Sequence, residues 1–345
     1  MAMPKKPDLL GALSSNIDLQ KAEILFKGEI NGPESFVWYN GALYSTIEDG
    51  FIKIINDKIV KKIKAGEIGC SSLPECGRPL GIRHYKNEKF FVADCYKGIL
   101  EVDFETEKVT TILSGDTVID GIKLNIADDL DFIDENAIIF SDASIDWDLP
   151  RFLNSMLELK GDGRIIKYNL KTKKAETLLS NLQIANGIQI HSDKQSVLIC
   201  ETSAARISRY YFDGPKKGIH EYFVTNLSGL PDNIRTTNNG TYYIAFAASR
   251  IPNHWSLIDF LAPFPFFRKL ILQLIPDSLK FALFEATIAK YGIFVEVDKN
   301  GKYIQSWHDP SGFTNMLSQA SDADDVIYVG SYSHDHLAKI YKNKA

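Results

Sequence analysis

Five oxygen-bearing side chains recur in phase along this sequence: Glu34, Asp128, Asn186, Asp232 and Asn233. Each falls about ten residues before the centre of a β-rich segment, where the first strand of a repeating unit would begin. The same phase places Leu80 in the second unit and Asn315 or Met316 in the sixth. Four of the six units therefore offer an oxygen, mostly beside proline or glycine, as in Gly32-Pro33-Glu34, Asn186-Gly187 and Pro231-Asp232-Asn233. Alone, an Asn-Gly or Asp-Asn pair is a turn signal. Recurrence in register is the informative feature. Carboxylates brought to one axis raise one another's pKa and destabilise the fold unless a cation neutralises them. Calcium suits such a set, because it accepts about six to eight oxygens in flexible geometry. No histidine or cysteine falls in phase, which argues against zinc or copper.

A repeat must position these residues. Strand, polar turn, second β-rich strand, turn and one or two further strands return six times. The first unit covers residues 36–55, with Asn40-Gly41 and Asp49-Gly50 expected to supply the positive φ of tight hairpins. The second covers 82–113, the third 137–179, the fourth 196–224, the fifth 241–307 and the sixth 326–341. Four-stranded units at a period of roughly 50 residues are propeller blades. The expected fold is all-β: a single six-bladed β-propeller domain over residues 1–345. The sixth unit lacks an outer strand, and residues 22–26 are placed to supply it and close the ring. Closure removes exposed sheet edges. A sandwich or unrelated sheets would not explain so regular a recurrence.

Two insertions interrupt blades 3 and 5. Residues 148–160 carry apolar side chains at helical spacing. Residues 253–289 are rich in Phe, Leu and Ile and are cut into short helices by Pro263, Pro265 and Pro276. They are expected to pack on the propeller; a lid or a membrane-surface contact are the other readings. The longest apolar stretch, 257–275, contains Asp259, Arg268 and Lys269, too costly for a bilayer-spanning helix. The net charge of −5 and the absence of a basic cluster exclude nucleic acid as a partner. The N-terminus shows no apolar signal core, so either the chain is cytosolic or a leader or anchor lies outside it. Of the four cysteines, Cys70 and Cys76 bracket a short loop; spacing alone leaves a disulfide and two free thiols equally open.

Several motifs resemble the strictosidine synthase-like family: Cys76-Gly-Arg-Pro-Leu-Gly-Ile-Arg83, Leu182-Gln-Ile-Ala-Asn-Gly187, Gly229-Leu-Pro-Asp-Asn-Ile-Arg235 and Ser306-Trp-His-Asp-Pro310. The likeness runs from about Leu19 to Lys342 and is nearest to the branch of animal, membrane-associated relatives. It implies a six-bladed propeller, calcium ligands at Glu34, Asp128, Asn186, Asp232 and Asn233, and a Cys70–Cys76 disulfide. Asp128 departs from the family, which usually has Asn there, and adds a negative charge. The catalytic Glu of the plant synthase has no counterpart in residues 311–318, so strictosidine synthesis is not expected.

Related propellers hydrolyse esters and lactones, with a cation polarising the carbonyl. The resemblance therefore implies a calcium-dependent hydrolase of the arylesterase or lactonase type, acting on a small ester or lactone. The histidine pair of paraoxonase-like propellers falls here at Leu80 and Asp94, so Asp128, Asp232 or Asp94 is left as general base. His84 reads as a surface residue, and His308, His334 and His336 as residues of sixth-blade loops. The alternative is a non-catalytic, calcium-stabilised propeller that binds a partner or a membrane. The resemblance also implies a lumenal or extracellular location in the secretory pathway, where the sequons at Asn226 and Asn239 would be glycosylated. A monomer or weak dimer is expected.

Overall fold

The computed structural model describes residues 3–67 and 69–342. Six four-stranded antiparallel sheets follow one another around a ring. Their innermost strands are Phe36–Tyr39, Pro79–Lys86, Ala127–Asp134, Ala185–Ile190, Gly229–Thr236 and Leu317–Ala323. Each packs beside the inner strands of the two neighbouring blades, and the inner strand of blade 1 meets that of blade 6. The architecture is the six-bladed β-propeller that the repeat predicts. Alternating and continuous apolar runs bury the blade faces against one another. Phe36, Phe51, Phe90, Phe140, Phe246 and Phe294 are all essentially inaccessible.

Blade 6 takes its outer strand from the other end of the chain. Glu23–Leu25 pairs antiparallel with Leu337–Tyr341, Glu23 facing Lys339 and Leu25 facing Leu337. The first and last strands therefore share one sheet.

Local turn chemistry follows the sequence at Asn40-Gly41, where φ is 49° and 76°. It departs from expectation at Asp49-Gly50, where neither residue has positive φ. Gly50 is required for another reason: a Cβ there would lie 2.0 Å from the Ile63 carbonyl oxygen.

Every inner strand of blades 2 to 5 enters through a register shift, between Pro79 and Ile82, Ala127 and Leu130, Ala185 and Ile188, and Pro231 and Ile234. Such bulges re-aim side chains locally. Here they displace the residue pairs 80–81, 128–129, 186–187 and 232–233 from the ladder.

Inner strands begin, and second strands end, on the same face of the ring. The insertions of blades 3 and 5 leave from second-strand ends at Asp142 and Ser249, and so lie on that face. There, α1 (Leu73–Cys76) sits in the loop entering blade 2, α2 (Phe152–Glu158) in the blade 3 insertion, and α3 (Leu257–Leu261), α4 (Pro265–Leu274) and α5 (Asp277–Thr287) in the blade 5 insertion. Ile258, Leu261, Ile271, Leu272 and Phe284 pack in one cluster with Met156 and Leu157 of α2 and with Leu80 and Leu230 of the ring. Lys280 donates to Asn154 Oδ1 at 2.6 Å, tying α5 to α2. The N-terminal segment straps this cap: Arg250 donates to the Pro4 carbonyl at 2.7 Å and Lys6 to that of His254 at 2.6 Å.

Candidate metal centre

The bulged pairs deliver two layers of side chains to the axis. Glu34, Asp128, Asn186 and Asp232 form the layer nearer the capped face, all buried. Behind it lie Ser35, Gly81, Asp129, Gly187 and Asn233. The glycines are there because adjacent blades crowd them: a Cβ on Gly81 would fall 2.2 Å from Asp129 Oδ1, and one on Gly187 2.6 Å from Asn233 Oδ1.

Hydrogen bonds cross the channel. Asn233 Nδ2 donates to Glu34 Oε1 at 2.8 Å, joining blade 5 to blade 1. Arg235 reaches Asp129 Oδ2 at 2.7 Å and Ser35 Oγ at 3.0 Å. Arg83 donates to the same Asp129 oxygen at 3.2 Å and to the Ile188 carbonyl at 2.8 Å. Asp129 is fully enclosed and faces two guanidiniums, so its charge is matched within the fold.

The carboxylates nearer the cap lack such partners. Burial pushes Glu34 up to about 7, opposed by the Arg78 and Arg235 guanidiniums and the Asn233 hydrogen bond and assisted by Asp129. Asp128 is raised well above the carboxylate range, first by burial and then by Glu34 and Asp129. Asp232 is raised likewise by burial, Glu34 and Asp128. Three acids from blades 1, 3 and 5 thus feel one another across the axis. Glu34 Oε2 and Asn186 Oδ1 are buried acceptors without a hydrogen-bond partner. Orphaned acceptors beside mutually repelling carboxylates are what a hard cation would satisfy, and the donor set is oxygen throughout. The residues present therefore fit calcium. Among the described residues, however, no three His, Cys, Asp or Glu side chains are gathered at metal-ligand spacing. Asn233 also turns its amide nitrogen toward Glu34 and its oxygen toward Arg235, 3.1 Å away. An oxygen ligand there would need the amide rotated.

Asp94 is placed differently. Its Oδ1 accepts the Tyr96 and Lys97 backbone N–H groups, each at 2.9 Å, and these, with the nearby Arg78 N–H, oppose the burial that raises it. Asp142 accepts the Ile126 N–H at 2.8 Å, and Glu201 the Gln183 N–H at 2.9 Å. An acid at the end of the second strand thus pins the entry to the inner strand in blades 3 and 4. Asp94 Oδ2 remains buried without a partner and faces Gly77, where a Cβ would come within 2.5 Å of it.

The histidines separate by position. His84 stacks on Tyr39 at 3.8 Å, on the side of a blade. His308 is not in a sixth-blade loop: it lies in the outer strand of blade 5, bonded to Tyr291 and Ser306, and burial lowers it to about 4. His334 reaches an in-phase residue of blade 6, Asn315, at Oδ1 and 2.8 Å. The free thiols Cys95 and Cys200 are buried and pushed far up by desolvation, which suppresses thiolate chemistry. Cys70 and Cys76 form a disulfide with Cα atoms 5.3 Å apart. Two residues on, Arg78 is the guanidinium that most opposes the rise of Glu34.

Sequence reasoning missed Asp129, Arg83, Arg235 and Arg78. A signal was present. Arg83 and Arg235 stand three residues after Leu80 and Asp232, so one arginine recurs at a fixed offset in two blades.

Comparison with known proteins decides the ancestry. The profile named strictosidine synthase matches residues 128–215, and the one named strictosidine synthase-like, N-terminal, matches 11–55. Adipocyte plasma membrane-associated protein from Rattus norvegicus is 36% identical over 342 residues, covering 97% of this chain and 89% of the relative. The Salmo salar protein of that name is 34% identical, with 100% and 83% covered. The chain belongs to the strictosidine synthase-like family, in the branch of the adipocyte plasma membrane-associated proteins. The family extends to plants: strictosidine synthase-like 3 of Arabidopsis thaliana is 32% identical, with 93% of this chain and 85% of the relative covered. Solved structures share the family's fold at low identity. A gluconolactonase from Xanthomonas campestris superposes with a TM-score of 0.62 at 12% identity, over 99% of this chain and 96% of its own. Regucalcin from Agrobacterium tumefaciens, described as a calcium-binding protein, gives 0.57 at 13%, over 92% and 90%.

Proposed function

We propose that this family member is a calcium-dependent hydrolase of small esters or lactones, with Glu34, Asp128, Asn186 and Asp232 holding the ion and Asn233 joining them after rotation of its amide. The observation that carries the reading is the pair of orphaned acceptors, Glu34 Oε2 and Asn186 Oδ1, among carboxylates that raise one another. The names of two structural neighbours, a gluconolactonase and a calcium-binding protein, support it. A bound calcium ion would supply Lewis acidity to a substrate carbonyl oxygen. The chain's own part is to position and to move a proton. Arg235, held by Asp129 and Ser35, fixes the layer behind the ligands. Leu80 and Leu230 present an apolar wall beneath the helical cap that excludes water. Asp232 or Asp128 accepts the proton of the attacking water. Asp94 is the weaker candidate, since its Oδ1 is committed to the loop that follows it.

A non-catalytic, calcium-stabilised propeller is the second reading. It is favoured by the absence of a histidine at Leu80 and by the commitment of Asp94 to backbone. One experiment separates the two: metal content of the untreated protein, then phenyl acetate and lactone turnover with and without calcium, against Asp232→Ala. Hydrolysis requires turnover that calcium supports and Asp232→Ala loses. Bound calcium with equal background rates leaves the structural role. For compartment, the disulfide supports the secretory pathway. No helix among the described residues is long and apolar enough to cross a membrane.

A further inference from the structure

One phenol stands between the axial oxygens and the helical cap. Tyr332 follows the second strand of blade 6, Val326–Ser331, on the capped face. Its backbone carbonyl accepts Arg78 Nη2 at 3.1 Å. Gly32, two residues before Glu34, must lack a side chain to admit this pair: a Cβ there would fall 2.8 Å from the Tyr332 carbonyl oxygen and 2.9 Å from Arg78 Nη2. The side chain crosses to blade 5, where Oη approaches the Ala247 carbonyl at 3.4 Å. Ala247 is the residue that the blade 5 bulge leaves unpaired, since Leu230 faces Ala248 and Pro231 faces Phe246. Asp232 comes next on that inner strand. Burial first, then the charges of Asp232 and of Glu285 on α5, raise the phenol above its usual range. Tyr332 therefore lies between the ligand layer and the cap, in the space a substrate must enter to meet the ion.

The hydroxyl is poorly held. An O–H···O bond is ordinarily about 2.7–2.8 Å long, so a contact of 3.4 Å leaves the proton uncommitted. Carboxylates that hold a cation are ionised and only accept protons. The leaving oxygen of an ester needs a donor, and this phenol is placed to be one.

We propose that Tyr332 is the general acid of the reaction, its hydroxyl giving a proton to the leaving oxygen of the ester or lactone. The inference rests on the hydrolase reading above. The attacking water gives its oxygen to the carbonyl carbon and its proton to Asp232 or Asp128. The tetrahedral adduct then breaks its bond to the leaving oxygen, which keeps the electron pair and takes the Tyr332 proton. The protonated carboxyl returns its proton to the phenolate, and both groups end as they began. An aliphatic alkoxide is more basic than a phenolate, so this transfer runs downhill, whereas a nitrophenolate is a stable anion and leaves unaided. The assignment names a substrate class: esters and lactones of aliphatic alcohols are those that need the phenol.

The test is turnover of δ-valerolactone and of para-nitrophenyl acetate by calcium-loaded wild type and Tyr332→Phe, with calcium titration and thermal melts of both. Phenylalanine keeps the ring and the backbone carbonyl that holds Arg78, so fold and calcium affinity are expected to be unchanged. The lactone kcat falls about a hundredfold, while para-nitrophenyl acetate turnover changes little. Equal loss on both substrates overturns the proposal, as does an undiminished lactone rate or a variant that no longer binds calcium. Failure of the hydrolase reading looks different: wild type then turns over neither substrate above Asp232→Ala, and there is no leaving group to protonate. An active wild type, an inactive Asp232→Ala and an unaltered Tyr332→Phe would remove the general acid alone.

Discussion

Glu34 is the side chain through which proton and metal binding should be visible together. In the metal-free fold its carboxyl is raised to about 7, against an ordinary value of about 4.3 in an unfolded chain. Between those two values the folded protein holds more protons than the unfolded one, so stability falls as pH rises. Asp128 and Asp232 are shifted in the same direction. Chelator-treated protein is therefore expected to melt at a higher temperature near pH 5 than near pH 8. The Glu34 share amounts to on the order of 3 kcal/mol. Calcium, which binds the ionised forms, should reverse that slope. Asp128→Asn removes one of the charges facing Asp232 and should flatten the metal-free slope while weakening calcium binding. Differential scanning calorimetry across pH, with and without calcium, checks all of this. A metal-free melting temperature that rises from pH 5 to pH 8 would show that these acids are ionised and matched by groups other than a cation.

At the scale of elements, the loops on the capped face do the positioning, and they divide what the sequence revealed from what it hid. The six β-rich units, both helical insertions and the phase of Glu34, Asp128, Asn186 and Asp232 were legible, because hydrophobic period and turn residues are local signals. The second layer was not. Asp129 follows Asp128 in the chain, yet a bulge turns it to the axis, where guanidiniums from blades 2 and 5 converge. No local pattern records a convergence of separate strands. The setting of Asp94 was hidden for a related reason: its bonds to the Tyr96 and Lys97 N–H groups belong to the geometry of a turn, and residue type alone does not distinguish a loop anchor from a base. The Cys70–Cys76 pair closes a short loop just before Arg78. On loop entropy such a crosslink is worth roughly 2 kcal/mol. Reduction should therefore lower the melting temperature modestly and, by freeing Arg78 from its fixed place beside Glu34, alter calcium affinity. Calcium titration of oxidised protein and of Cys70→Ser/Cys76→Ser measures the second effect. Unchanged affinity with lowered stability would confine the disulfide to the loop.

For the molecule as a whole, the decisive contact is the one between its two ends. A propeller with an unclosed blade exposes an edge and lets its first and last blades part. Here the strand Glu23–Leu25 completes blade 6, Leu19 is fully buried against blades 5 and 6, and Tyr341 donates to Glu23 at 2.8 Å. Next to that closure, Trp38 of blade 1 donates to Asp324 of blade 6 at 3.2 Å, so an indole reports on the seam. Trp147 in the blade 3 insertion donates to Glu158 at 2.9 Å and reports on the ring away from it. Leu19→Ala removes a fully enclosed side chain and should cost about 2–5 kcal/mol. If closure is what makes the ring cooperative, that loss lowers the urea midpoint for the whole molecule, because no blade can persist once the seam opens. Variants keeping only Trp38 or only Trp147 resolve the two regions. The expected outcome is one shared transition, displaced to lower urea by Leu19→Ala in both backgrounds. A Trp38 transition that separates from that of Trp147 would mean the seam opens alone, leaving the rest of the ring standing and the axial oxygens of blades 1, 3 and 5 no longer held at a common distance.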